Sequence, residues 1–136
     1  MHPLLQRLLD DCGYPEITLE NHVAFAGQPG ISVLFFPGDP KRFRDTTDVA
    51  VVLPELVKAF GGALQPGVVA AAAGKSLQQH YGFELWPALV FLRDGDHLGS
   101  ICRIRNWSDY LQEIGELISG PVRPLPGADR LPLVNI

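Results

Sequence analysis

The spacing of apolar residues changes period several times along the chain, and each change predicts an element. Leu4, Leu5, Leu8 and Leu9 follow Pro3 at helical spacing and predict a short helix ending at Gly13. Cys12 falls one turn beyond Leu8 on that face, as a small buried hydrophobe. Ile17 to Leu19 reads as a short strand, Asn21 as the cap of a short helix through Phe25, and residues 27–30 as a turn. Ile31 to Phe36 is apolar at nearly every position, the pattern of a strand covered on both faces. Val49, Val52, Leu53, Leu56 and Phe60 recur at i, i+3, i+4 and i+7. They predict a helix from a cap near Asp48 to Phe60, kinked at Pro54 and ended by Gly61-Gly62.

The segment 67–73, Gly-Val-Val-Ala-Ala-Ala-Ala, admits two readings. Alanine favours helix, whereas Pro66-Gly67 before it and Gly74 after it bracket a short strand, which is the preferred expectation. Lys75 to Tyr81 is then a short helix stopped by Gly82. Ala88 to Leu92 is a buried strand with Ala88, Val90 and Leu92 on one face and Leu89 and Phe91 on the other. Pro87 opens it where a missing ladder donor costs least. Asp94-Gly95 supplies a tight turn, and Leu98 to Arg105 returns antiparallel. Strict alternation puts Leu98, Ser100, Cys102 and Ile104 together, with Cys102 buried and inert, and Ile101, Arg103 and Arg105 opposite. Asn106 caps a closing helix, with Asp109 three residues on. Its apolar face is Trp107, Tyr110, Leu111, Ile114, Leu117 and Ile118, and Gly120 terminates it.

Residues 121–136 hold four prolines among Val122, Leu125, Leu131, Leu133, Val134 and Ile136. They are too proline-rich for a helix and too apolar for a solvated linker. The expected organisation is a folded domain over 1–120 and a Pro-rich tail over 121–136 that rests on its own domain or on a second copy.

Composition narrows the function classes. With 136 residues, 46% hydrophobic and 19% charged, the chain folds around a core and is not a disordered one. No apolar run reaches bilayer length and no basic-then-apolar leader opens the chain, so the expected location is the cytoplasm. A net charge of −4 argues against nucleic acid and permits a basic partner. His2, His22, His80 and His97 lack metal-ligand spacing, and His80 and His97 are expected at the surface. No phosphate-binding glycine loop is present, and Asp94 and Asp96 are turn residues. No cofactor is expected.

The decisive stretch is the loop Pro37-Gly38-Asp39-Pro40-Lys41-Arg42-Phe43-Arg44 before the third helix. Trp86-Pro87, followed by a strand, an Asp-Gly turn and a second strand, resembles the cis-proline signature of the thioredoxin fold. In that fold the bond before the proline is cis and faces the active site; an ordinary trans proline is the alternative. The predicted element order is the thioredoxin order with an extra leading helix, over residues from about 14 to 120. The expectation is an α/β, thioredoxin-like domain: a central mixed sheet with helices on both faces. Its redox work needs a low-pKa thiolate at the helix N-terminus and a second, resolving thiol. From Pro37 to Asp48 there is neither cysteine nor serine. The two cysteines, Cys12 and Cys102, form no C-x-x-C pair.

Asp39-Pro40-Lys41-Arg42 after the strand, then a short spacer, a helix and later the aromatic segment before Pro87, resembles the HyaE/HupG family of hydrogenase expression proteins. That resemblance implies a non-catalytic chaperone for the small subunit of an uptake NiFe hydrogenase, engaging its twin-arginine signal peptide or the subunit before export. Such a peptide calls for carboxylates beside an apolar groove, because guanidinium pairs with carboxylate through two hydrogen bonds. Asp39, Pro40, Lys41, Arg42, Phe43, Glu84, Trp86 and Pro87 are the candidate partner-binding residues. Against that, Trp86 can pack in the core, Glu84 can be merely solvated, and Asp39 can simply start a turn. Two other functions stay open: a thiol-dependent oxidoreductase using Cys12 or Cys102, and a structural assembly subunit forming homo-oligomers through the tail.

Overall fold

The computed structural model of the chain describes residues 1–125. One sheet is built from β1 (Glu16–Ile17), β2 (Ile31–Phe36), β3 (Leu64–Val69), β4 (Ala88–Arg93) and β5 (Asp96–Cys102), in spatial order β1-β3-β2-β4-β5. β3 runs parallel to β1 and β2, while β4 is antiparallel to β2 and β5. Helices cover both faces, as the near-continuous apolar runs of β2 and β4 require. α1 (Pro3–Asp10), α3 (Asp45–Ala59) and α5 (Trp107–Ser119) pack with Val33, Phe35, Leu89 and Phe91. On the other face α2 (His22–Ala26) and α4 (Ala71–Tyr81) pack with Leu34, Phe36, Val90 and Leu92. Alternate residues of each strand thus feed two cores. Burying each of Phe35, Phe36 and Phe91 completely stabilises the fold by about 1.5–3 kcal/mol. The architecture is thioredoxin-like, with α1 added before it.

Local signals in the sequence hold in several places. Pro3 opens α1, Asn106 Oδ1 accepts from Asp109 N at 2.9 Å to cap α5, and Gly82 ends α4 with φ +76°. Asp94 and Gly95 turn the β4–β5 hairpin with φ of 52° and 91°. Asp94 Oδ1 also accepts from Gly30 N at 2.8 Å, tying that hairpin to the start of β2.

Other expectations are corrected. Ala71, Ala72 and Ala73 belong to α4 and not to a strand, so alanine's helical preference prevails there. β3 instead begins at Leu64 and passes through Pro66. β1 pairs only Val68 and Val69, so Pro66 lies where β3 has a single neighbour and its missing donor is tolerated. α3 starts at Asp45 and not near Asp48, which puts both aspartates in its first turn beside the positive end of the helix dipole. Asn21 makes no capping hydrogen bond; its Oδ1 accepts from Thr18 N.

β5 departs furthest from simple alternation. His97 pairs with Leu92 and Gly99 with Phe91, leaving Leu98 as an extra residue, and Gly99 takes φ +149°. That bulge switches faces, so Leu98 and Ile101 share the α1/α3/α5 core while Ser100 is exposed. The strand ends at Cys102, which is half-buried and not fully enclosed. Cys12 is likewise half-buried, and Trp107 lies outside its predicted apolar face at 45% exposed. His97 is buried and His80 half-buried, against the surface positions expected for both.

Of the tail, only 121–125 fall among the described residues. Arg123 N donates to the His97 carbonyl at 2.7 Å, and Leu125 packs on the α2/α4 core. The expectation of an oligomerising tail lies otherwise outside the described residues. Among those residues no helix is long and apolar enough to cross a membrane.

Candidate functional site

The loop between β2 and α3 is closed by its own polar groups. Asp39 Oδ1 accepts from Lys41 N at 2.9 Å, and the Asp39 carbonyl accepts from Arg42 N at 3.0 Å and Phe43 N at 2.8 Å. This is the turn-forming role open to aspartate beside proline. Thr46, fully buried, donates through Oγ1 to the Pro37 carbonyl. Asp45 Oδ2 accepts from Arg103 Nε at 3.1 Å and from Ile104 N at 3.3 Å, anchoring the start of α3 to the end of β5.

The turn lays Phe43 on Trp86, with ring centroids 6.3 Å apart and planes 26° apart. Gly38 is required beneath them: at φ +72°, a β-carbon there would stand 2.7 Å from Phe43 Cδ2. Trp86 is half-buried and meets Phe83 edge-on at 5.2 Å and Phe36 at 6.0 Å. It is therefore neither a wholly enclosed core residue nor a free surface one. Pro87 is buried behind it, and the Trp86-Pro87 bond is cis. The Arg42 guanidinium sits 5.3 Å from the centre of the Phe43 ring, a cation–π contact.

Arg42, Phe43, Lys75 and Trp86 line two clefts at once. One, of about 680 Å³, carries the carboxylates Glu16 and Asp39 with apolar walls from β3 and the start of α4. The other, of about 590 Å³, is lined also by Arg44, Asp45, Glu84, Leu85 and Arg103. The candidate residues thus divide. Asp39 and Pro40 line the first cleft, Glu84 lines the second, Arg42, Phe43 and Trp86 line both, and Lys41 and Pro87 line neither. Asp39 and Glu84, expected to act on one groove, line different ones. Glu16, Lys75 and Arg103 were missed by sequence reasoning because each arrives from a separate element, and Arg44 was passed over within the loop itself. The one local hint was Arg44, adjoining the Lys41-Arg42 run.

Neither cysteine lines either cleft. Cys12 packs on the α1/α3/α5 core and Cys102 on the core across the sheet. A separate cluster surrounds Tyr81, whose hydroxyl lies 2.5 Å from His22 Nε2 while His97 stacks on its ring at 6.0 Å. Burial pushes the Tyr81 phenol far above its usual range and holds His22, His80 and His97 below the ordinary imidazole value. Among the described residues, no group of three His, Cys, Asp or Glu side chains is placed to hold a metal ion.

Residues 4–110 match the family model described as hydrogenase-1 expression protein HyaE. The hydrogenase expression/formation protein HoxO of Azotobacter vinelandii is 43% identical over 135 residues, spanning 99% of this chain and 88% of the relative. HupG of Bradyrhizobium diazoefficiens is 44% identical over 105 residues, 76% of this chain and 71% of its own. A crystal structure of HupG from Rhodopseudomonas palustris matches with a TM-score of 0.53 at 38% identity, covering 77% of this chain and 95% of that one. The chain belongs to the HyaE family of hydrogenase expression proteins, alongside HupG and HoxO.

Proposed function

We propose that this chain serves hydrogenase maturation as a non-catalytic chaperone that grips a segment of the small-subunit precursor of an uptake NiFe hydrogenase. The role in hydrogenase formation follows from the family. The observation that carries the chaperone reading is the Phe43–Trp86 stack standing on the loop before α3, where a redox member of the fold would place its thiols. A half-exposed aromatic ridge beside clefts is suited to anchoring an apolar side chain of a bound polypeptide.

The precursor segment that fits the larger cleft is a twin-arginine signal peptide. Its apolar stretch would lie along the walls from β3 and α4, and its arginines would reach Asp39 and Glu16 at the same cleft. Glu84, exposed on the far side of the ridge, would add attraction at longer range. Holding a precursor before export places the protein in the cytoplasm. The thiol-based alternative has less support, since the two cysteines sit against opposite cores. Calorimetry with a twin-arginine peptide and its Lys-Lys counterpart tests the reading. Tighter binding of the arginine peptide is expected; equal binding by both, or none, removes arginine recognition.

A further inference from the structure

Since the larger cleft sets Arg42 and Lys75 against Glu16 and Asp39, the smaller is the more basic of the two. A chain with 15 acidic and 11 basic residues gathers Arg42, Arg44, Lys75 and Arg103 there against only Asp45 and Glu84. Asp45 is already engaged, bridging to Arg103 at 3.1 Å. Arg42, Arg44 and Lys75 make no ion pair among the described residues, and all three are exposed. The cleft therefore presents three uncompensated cations around a single free carboxylate. Beside them stand the half-exposed indole of Trp86 and Leu85, which is 54% exposed.

We propose that this cleft takes an acidic segment of the bound polypeptide, a short extended run of Asp or Glu around one apolar residue. The carboxylates would pair with Arg44 and Lys75, with Arg42 held over Phe43 as a third donor. The apolar residue would rest on Leu85 and the edge of Trp86. The inference depends on this surface being a polypeptide-binding one. It sets the acidic stretch on the Arg44 side of the ridge, where cations outnumber carboxylates, apart from the Asp39 side, where Glu16 and Asp39 match Arg42 and Lys75.

Fluorescence anisotropy on the full chain tests this with a labelled Asp/Glu-Leu peptide and the same peptide carrying Asn/Gln. The acidic peptide should bind more tightly, and the difference should shrink with added salt, since exposed pairs are screened over roughly 10 Å at 0.1 M. Arg44→Glu or Lys75→Glu should each weaken it by roughly three- to tenfold. Arg44→Glu places an acid at the N-terminus of α3, where the helix dipole favours it. Lys58→Glu, which makes the same change in net charge on a distant exposed side chain, should leave binding unaltered. Equal binding of the acidic and amide peptides, or equal weakening by Lys58→Glu, overturns the proposal. So does tighter binding of a single-stranded oligonucleotide of the same charge. A twin-arginine peptide measured in parallel separates the two readings. If it fails to bind while the acidic peptide binds with the expected pattern, arginine recognition falls and the acidic subsite stands. Should it bind and the acidic peptide show no preference, the reverse holds.

Discussion

Gly74, at the fourth position of α4, lies under the Trp86 indole so closely that a β-carbon on it would stand 3.1 Å from Cη2. Glycine within a helix costs about 1 kcal/mol relative to alanine, and here its smallness lets the indole lie against the helix beside Phe43. Gly38 makes the same concession on the other side of the ridge. The ridge thus rests on two glycines from elements that are distant in sequence.

Gly74→Ala should therefore separate stability from binding. The helical gain offsets the crowding, so unfolding free energy in urea should change by less than about 1 kcal/mol. The indole must move by a few tenths of an ångström, which should shift the Trp86 emission in a Trp107→Phe background and weaken peptide binding.

Phe43→Ala removes one ring of the stack without opening either core. We expect a loss of about 1 kcal/mol in stability and a fall of roughly tenfold or more in affinity for the twin-arginine peptide. Calorimetry and urea titration on the same preparation would check both.

Asp45 holds the start of α3 against the end of β5 through Arg103 and the Ile104 amide, with its side chain only 18% exposed. Asp45→Ala should cost about 1–3 kcal/mol, because it leaves that amide without its acceptor and removes a favourable charge at the helix N-terminus. Asp45→Asn, which keeps an acceptor oxygen, should recover part of the loss.

Acid should weaken the fold through the histidines around Tyr81. Burial lowers the folded-state pKa of His97, and of His22 and His80 beside it. Below about pH 6.5 the unfolded chain therefore binds more protons than the folded one, and stability falls with pH. Above that value the contribution is fully present. For His97, which is 6% exposed, the slope is at most about 1.4 kcal/mol per pH unit. Urea midpoints between pH 7.5 and 5.5 should fall in the wild type and fall less in His97→Leu.

The sheet was legible where apolar runs were long, in Ile31–Phe36 and Ala88–Leu92, and so was the Trp86-Pro87 signature. It was less legible where two propensities competed, as at residues 71–73, or where a single bulge reversed a face, as at Leu98. Half of the candidate site could be read from one loop and one aromatic-proline pair. The remainder could not, because Glu16 comes from β1, Lys75 from α4 and Arg103 from beyond β5. Only the packing of parallel strands and crossover helices brings them to one ridge, and no local spacing encodes that meeting. The excess of cations in the smaller cleft was accordingly absent from the sequence-based expectation of carboxylates around one groove.

On the proposed reading the aromatic ridge, and no thiol, carries the protein's work. Its most direct test is the amount of active hydrogenase formed in a host whose own copy of this gene is deleted and replaced by variants. Wild-type levels are expected with Cys12→Ser/Cys102→Ser, and a marked loss with Phe43→Ala/Asp39→Lys at equal protein abundance. Loss of hydrogenase with the cysteine variant, together with full activity in the ridge variant, would contradict that reading.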